Sequence, residues 1–103
     1  MPRLKARVDA NQKAITEYFR SHGCSVKLTH QLGEGFPDAV VAKYLVTVLV
    51  EIKDGNKPPS ARKLTPDEEK FRSTWQGLYR VVENTADAQD VVLLLQSFKN
   101  IVN

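Results

Sequence analysis

Two runs of strand-forming residues, at 38–43 and 46–53, constrain the fold of this chain more than any other feature. They read DAVVAK and VTVLVEIK in the sequence, and only Tyr44 and Leu45 separate them. Short runs rich in β-branched residues are typical of β-strands. A two-residue connection joins strands that are antiparallel neighbours. The spacing therefore predicts a β-hairpin with a tight turn near Lys43 and Tyr44.

Further helical and strand patterns flank this hairpin on both sides. Apolar residues at helical spacing predict a first helix over residues 10–22, which Gly23 ends. Strict alternation of apolar and polar residues over 25–31 predicts a half-buried strand. After the hairpin, residues 54–64 form a polar, proline-containing segment that we interpret as a loop.

The segment after this loop carries a strong helix start. Thr65 can cap the helix, Pro66 suits its first turn, and Glu68 completes a capping box. Phe71 and Trp75 follow four residues apart, so they share one face, and we expect that face to pack against the core.

The remaining patterns complete a small α/β domain. A short strand is predicted at 78–83 and a final helix over 85–102. The apolar side of that helix comprises Val91, Leu94, Leu95, Phe98 and Ile101. The order helix, three strands, helix, strand, helix predicts a mixed central sheet of about four strands flanked by helices. At 103 residues the chain is expected to be one domain, 1–103.

Composition limits the classes of function. The net charge of +3 and pI of about 9.1 permit nucleic-acid binding. No segment approaches the roughly 20 apolar residues that cross a bilayer, and charged residues stand where a secretory signal needs apolar ones. We therefore expect no membrane association and a cytoplasmic location. One cysteine, Cys24, and two histidines exclude an internal disulfide and a zinc-ligand cluster.

Two clusters of basic residues are candidates for DNA-backbone contacts. The first is a basic N-terminal arm, residues 1–9, which carries Arg3, Lys5 and Arg7. The second is the basic loop 54–64, which carries Lys57, Arg62 and Lys63. Solvated surface charges explain such clusters equally well, so the clusters alone do not decide the function.

The chemistry-bearing residues lie at the open end of the predicted hairpin. Glu51 and Lys53 share one face of a strand because side chains alternate, and Ile52 faces the other way. The hairpin register brings Asp38 opposite residues 51 and 52. Two adjacent carboxylates repel each other unless one is protonated or a cation neutralises them. Mg²⁺ is suited to such a pair, and a nearby lysine can orient water or stabilise charge on phosphorus.

At this point the residues resemble a known family. Pro37-Asp38 followed by Glu51-Ile52-Lys53 looks like the signature of the PD-(D/E)XK nuclease superfamily, and the order of elements is similar to its restriction-endonuclease-like core. The GFPD and VEIKDG segments and the helix entered through KLTPDEEKF are most similar to stand-alone, phage-type virus-type replication-repair nuclease (VRR-NUC) domains. Those domains resemble Holliday junction resolvases.

The resemblance implies a function and a set of site residues. Asp38 and Glu51 would bind Mg²⁺ or Mn²⁺ together with the main-chain carbonyl of Ile52, and Lys53 would position the attacking water. The implied activity is structure-selective cleavage of DNA, with branched or junction DNA as the substrate. A phage-encoded protein would act in the cytoplasm of a bacterial host. Because a four-way junction presents two equivalent strands, paired cuts imply a homodimer.

Two accessory positions depart from the family pattern. Such nucleases often add an acidic residue from the first helix, where this chain offers Asn11 and Gln12, with Glu17 at least a turn later. VRR-NUC domains commonly carry a glutamine early in the helix after the loop, where this chain has Glu68 or Glu69. Gln12, Glu17 and Glu68 are therefore accessory candidates.

Other interpretations of these patterns remain open. Glu51 and Lys53 can form an exposed ion pair that contributes only ~0.2–1 kcal/mol and no function. The enzyme can be another endonuclease of the same superfamily, of a nicking, flap-cutting or restriction-like kind. The chain can also be a non-catalytic nucleic-acid-binding module. Cys24 and Trp75 are interpreted as core residues, with a dimer face as the alternative for Trp75.

Overall fold

The computed structural model of the protein describes residues 10–102. The basic N-terminal arm with Arg3, Lys5 and Arg7 lies outside the described residues. Within them, the elements in chain order are α1 (Ala10–Ser21), β1 (Ser25–Leu28), β2 (Ala39–Lys43), β3 (Val46–Ile52), α2 (Pro59–Arg62), α3 (Pro66–Thr74), β4 (Leu78–Val82), α4 (Thr85–Gln96) and α5 (Lys99–Val102).

The predicted hairpin is the centre of a four-stranded mixed sheet. The strand order is β1-β2-β3-β4, with β1, β2 and β3 antiparallel and β4 parallel to β3. Tyr44 and Leu45 form the turn, both with positive φ, as a two-residue hairpin turn requires. The fold is therefore α/β with a mixed sheet, as the sequence predicts.

Two helices cover one face of this sheet. Helices α1 and α4 contact each other and the strands, and their inward side chains meet alternate strand residues. The buried cluster contains Ile15, Phe19, Cys24, Ala39, Val41, Val48, Val50, Val82, Ala88, Val91, Val92 and Leu95. Each strand residue in this cluster alternates with one that points to the opposite face. That opposite face carries the charged end of β3.

Local sequence signals fix the helix starts. Thr65 caps α3 in a complete capping box with Glu68, as predicted. Asn84 caps α4 by accepting a hydrogen bond from the Asp87 amide. The segment 54–64, interpreted as a loop, contains the single-turn helix α2, which Pro58 and Pro59 introduce.

The predictions for the helix after the basic loop and for the last helix were wrong in part. Helix α3 ends at Thr74 and buries no residue, and Trp75 is 43% exposed rather than a core residue. The last helix is interrupted between Gln96 and Lys99, and Ile101 is 76% exposed. Helical spacing shows which side chains share a face, but it does not show whether another element covers that face.

The helices of the described residues are all too short or too polar to span a membrane.

Candidate functional site

Asp38 and Glu51 meet at the open end of the hairpin. Ala39 pairs with Val50 across the two strands, so the residue before Ala39 lies opposite the residue after Val50. The Ile52 amide donates a hydrogen bond of 2.8 Å to Asp38 Oδ2. This bond fixes the Asp38 carboxylate against the end of β3, where the sequence predicted it.

The charged residues of β3 are not a surface ion pair. The Glu51 side chain is 3% exposed and the Lys53 side chain is 14% exposed, with Lys53 Nζ 3.6 Å from Glu51 Oε2. Burial of an ionisable group in a protein is unfavourable unless partners or a bound ion compensate for it. Glu51 and Lys53 are therefore not the exposed ion pair of the alternative interpretation.

Glu68 links the start of α3 to Lys53. Its Oε1 atom accepts a hydrogen bond of 2.8 Å from Lys53 Nζ and one of 2.9 Å from the Thr65 amide. Thr65 Oγ1 in turn accepts from the Glu68 amide. Glu68 thus serves both as the capping residue and as a partner of the site lysine, and the structure brings this accessory candidate to the site.

The surroundings of the two carboxyl groups disfavour their charged forms. Burial, and then the charges of Asp38 and Glu68, raise the pKa of Glu51 from its ordinary 4.5 to about 9. Burial also raises the pKa of Asp38, against the opposing effect of the Ile52 hydrogen bond. Without a cation, the site therefore holds a proton on Glu51 at neutral pH.

Lys53 and Glu68 have the opposite electrostatic character. Burial acts to lower the pKa of Lys53, but the hydrogen bond and charge of Glu68, together with Glu51, raise it. Burial acts to raise the pKa of Glu68, but its bonds to Lys53 and Thr65 lower it. Lys53 and Glu68 therefore remain an ion pair beside the protonated Glu51.

The first helix reaches the site through Asn11. Its Nδ2 atom donates a hydrogen bond of 2.7 Å to the main-chain carbonyl of Lys53, which ties α1 to the end of β3. Gln12 is buried on the same turn, whereas Glu17 is exposed. No sequence motif singled out Asn11. Its one signal is its place at the start of the first helix, from which PD-(D/E)XK nucleases often add an acidic residue.

A glycine lets the segment before β2 approach α3. Gly35 has a φ of +80°, and a Cβ there would collide with the main-chain carbonyl of Asp67. Thr29 holds the other side of the segment. Its amide donates a hydrogen bond of 2.7 Å to the Asp38 carbonyl, and its hydroxyl donates one of 2.8 Å to the Pro37 carbonyl. These contacts bring the start of β2 next to the first turn of α3.

The basic loop presents two of its three predicted cations to solvent. Lys57 and Lys63 are exposed. Arg62 instead pairs with Glu83 at 3.0 Å and donates through Nε to the Lys57 carbonyl at 2.8 Å. Arg62 therefore joins the loop to the end of β4, which leaves Lys57 and Lys63 as the more accessible candidates for phosphate contact.

The residues at this site fit a hard divalent cation. Glu51 Oε1 is buried and has no hydrogen-bond partner among residues 10–102, and the neighbouring carboxyl of Asp38 raises the pKa of Glu51. A cation between the two carboxylates would relieve both effects. No group of three or more His, Cys, Asp or Glu side chains that could hold a metal occurs in the described chain. The two carboxylates that would hold such a cation are those of Asp38 and Glu51.

No protein-family model, curated protein or solved structure matches this chain.

Proposed function

We propose that this chain is a Mg²⁺- or Mn²⁺-dependent DNA endonuclease of the PD-(D/E)XK kind. The observation that carries the proposal is the meeting of Asp38 and buried Glu51 at one end of a hairpin, with Lys53 3.6 Å from Glu51. Two carboxylates and a lysine at this spacing suit metal-dependent hydrolysis of a phosphodiester.

Each site residue has a distinct part in this chemistry. Asp38, Glu51 and the Ile52 carbonyl would hold the cation, which supplies charge neutralisation and activation of water when it is bound. Lys53, held by Glu68, orients the attacking water and stabilises the negative charge that develops on the phosphate. Hydrolysis adds that water across a P–O bond and leaves one phosphate terminus and one hydroxyl terminus.

The topology supports a restriction-endonuclease-like core. In the described chain, a helix and three antiparallel strands precede the parallel strand β4, the order that the family resemblance implies. The site lies where the second and third strands meet, beside the start of α3. VRR-NUC domains commonly carry a glutamine in the part of the helix where this chain has Glu68 or Glu69, and the bond of Glu68 to Lys53 is a physical reason for a polar side chain there.

DNA is the substrate that the site and the charges favour. Lys57 and Lys63 are exposed on the segment that leaves β3 directly after Lys53, and in this proposal they would contact the DNA backbone beside the scissile phosphate. Branched or junction DNA, cut by a homodimer, is the specific proposal that the VRR-NUC resemblance suggests.

Cleavage of labelled DNA tests this proposal. A four-way junction, a matched linear duplex and a matched single strand are incubated with Mg²⁺, Mn²⁺ or EDTA, using the wild type and Asp38→Asn. Lys57→Ala/Lys63→Ala is assayed for DNA binding over a salt series. We expect metal-dependent, paired cuts in the junction, none with Asp38→Asn, and a smaller salt dependence of binding in the double variant.

The other outcomes distinguish the alternatives. Metal-dependent cutting of all three substrates would support a nuclease but contradict the junction preference. Binding of DNA without cutting at any metal concentration would contradict an enzyme and favour a non-catalytic module. Cleavage by Asp38→Asn at the wild-type rate would contradict the assignment of the site.

A further inference from the structure

Tyr79 on β4 lies on the same face of the sheet as Glu51. In the parallel pairing of β3 with β4, Leu49 is opposite Tyr79 and Glu51 is opposite Val81. Side chains two residues apart on a strand point the same way, so Tyr79 is a diagonal neighbour of Glu51. This residue follows from the strand register, and no sequence motif singled it out.

The Tyr79 side chain is held by aromatic contacts. Its ring centroid lies 6.3 Å from that of Phe71 on α3, and Phe71 in turn stacks on Trp75 at 5.4 Å and meets Phe36 edge-on at 5.2 Å. These rings restrict the position of the phenol and of its hydroxyl group. The hydroxyl is buried, so it cannot be satisfied by bulk water.

Two buried polar atoms on this face of the sheet could form a hydrogen bond with each other. Within residues 10–102, neither the Tyr79 hydroxyl oxygen nor Glu51 Oε1 has a hydrogen-bond partner. A buried polar group without a partner destabilises a protein because it has lost its hydrogen bonds to water and gained none in exchange. The Tyr79 hydroxyl can donate a hydrogen bond and Glu51 Oε1 can accept one. Burial, and then the proximity of the Glu51 carboxylate, raise the pKa of Tyr79.

We propose that the Tyr79 hydroxyl is a positioning group for Glu51, to which it donates a hydrogen bond at Oε1 in the working site. Carboxylates that bind metals are themselves usually held by hydrogen bonds, and loss of such an outer partner weakens metal affinity or activity by about 10–100-fold. Tyr79 would fix the orientation of the Glu51 carboxylate without touching the substrate. This inference rests on the proposed function, since it assigns Tyr79 to the same site.

The competing explanation is that Tyr79 only packs. In that case the Tyr79 ring would stabilise the protein by packing against Phe71, and the hydroxyl would have no effect on metal binding. Tyr79→Phe separates the two because it keeps the ring and removes the hydroxyl. Tyr44→Phe is the matched control, since Tyr44 lies in the hairpin turn at the opposite end of β3.

The experiment compares the wild type, Tyr79→Phe and Tyr44→Phe in two assays. The first follows thermal unfolding in EDTA and over a Mn²⁺ titration, using the fluorescence of the single tryptophan, Trp75. The second measures kcat and KM for DNA cleavage as a function of Mn²⁺. For Tyr79→Phe we expect unchanged or slightly higher stability in EDTA, an increase of about 10–100-fold in half-saturating Mn²⁺ in both assays, and an unchanged KM for DNA.

The outcomes separate this inference from the proposed function. If the wild type responds to Mn²⁺ and cleaves DNA, but Tyr79→Phe behaves like Tyr44→Phe, the positioning role is overturned and the nuclease proposal stands. If Tyr79→Phe is destabilised in EDTA but responds normally to Mn²⁺, its role is structural and the inference is again overturned. If the wild type neither responds to Mn²⁺ nor cleaves DNA, the proposed function fails and the inference fails with it.

Discussion

The two ends of the β2–β3 hairpin carry unfavourable energy of different kinds. At the turn, Tyr44 and Leu45 have φ values of 57° and 69°, in the left-handed region that asparagine and glycine adopt more easily. Leu45 is 84% exposed. At the open end the backbone is regular, but Glu51 is buried beside Asp38 with one carboxylate oxygen unpaired in the described chain.

The difference shows where the stability of this fold can be increased without loss of the proposed activity. The turn is strained through its backbone geometry, and residues that adopt positive φ more easily would relieve that strain. Activity should not change, because the turn lies at the opposite end of the hairpin from the site. The open end is strained through electrostatics, and the same burial and proximity that destabilise the protein create the proposed ion site. Relief of that second strain should stabilise the protein and remove its activity.

The strongest test of this contrast is Glu51→Gln. Glutamine has the same shape but takes up no proton on folding, so the metal-free protein should become more stable at pH 8. It cannot supply a carboxylate to a cation, so metal-dependent cleavage should fall by more than about 100-fold, beyond the loss expected for an outer partner. Urea unfolding in EDTA and DNA cleavage measure the two effects. Glu17→Gln, at an exposed position on α1, should change neither, and a lower stability of Glu51→Gln at pH 8 would contradict the account.

Glu68→Gln should separate the charge of Glu68 from its capping role. Glutamine can still accept from the Thr65 amide, so stability should fall by less than about 1 kcal/mol. Lys53 would lose its charged partner, and we expect cleavage to slow by about tenfold or more, since a positioned proton-transfer or charge-stabilising group contributes about 10²–10⁴-fold. The matched control is Glu69→Gln, because Glu69 pairs with Arg72 on the exposed side of the same helix.

The pH dependence of the free energy of unfolding should show that Glu51, at the open end of the hairpin, keeps its proton in the folded protein. The folded protein keeps a proton on Glu51 up to a pKa of about 9, whereas the unfolded chain releases it near 4.5. The free energy of unfolding in EDTA should therefore fall as pH rises between these values, by at most about 1.4 kcal/mol per pH unit. The lowered pKa of Glu68 acts in the opposite sense, but below this interval.

Denaturation of the wild type and Glu51→Gln in EDTA from pH 5 to pH 9 measures this slope. The slope should be shallower in the variant because the titrating group is gone. An equal slope in the two proteins would assign the proton to another residue and would contradict the electrostatic description of the site.

The smallest effect is expected at the turn. Replacement of Tyr44 and Leu45 by Asn and Gly should stabilise the hairpin by about 0.5–1 kcal/mol, since both prefer positive φ. Part of the gain will be offset because the contacts of Lys43 and Lys99 with the Tyr44 ring are lost. Chemical denaturation measures the stability, and the cleavage rate should not change. A large loss of activity would show that the two ends are coupled.

The sequence predicted the features that depend on local pattern. Strand alternation and the two-residue turn determined the register, and the register brought Asp38 beside Glu51. The capping box located the start of α3. In each case neighbours in the sequence carry the necessary information, because a turn, a cap or an alternating face is defined within a few residues.

The features that the sequence did not predict depend on contacts between segments that are distant along the chain. Asn11 bonds to Lys53 across 42 positions, and Tyr79 becomes a neighbour of Glu51 only through the parallel pairing of β3 with β4. Trp75 was wrongly assigned to the core. Its spacing from Phe71 places the two residues on one helix face but does not show whether another element packs against that face. The extent of burial of Glu51 likewise depends on packing and not on alternation.

The most direct test of the central claim is a crystal structure with Mn²⁺, in which anomalous scattering locates the ion. We expect one strong peak bounded by Asp38, Glu51 and the Ile52 carbonyl in the wild type, and no peak there in Glu51→Gln. A wild-type crystal at saturating Mn²⁺ with no peak between Asp38 and Glu51, or with its only strong peak elsewhere, would contradict it.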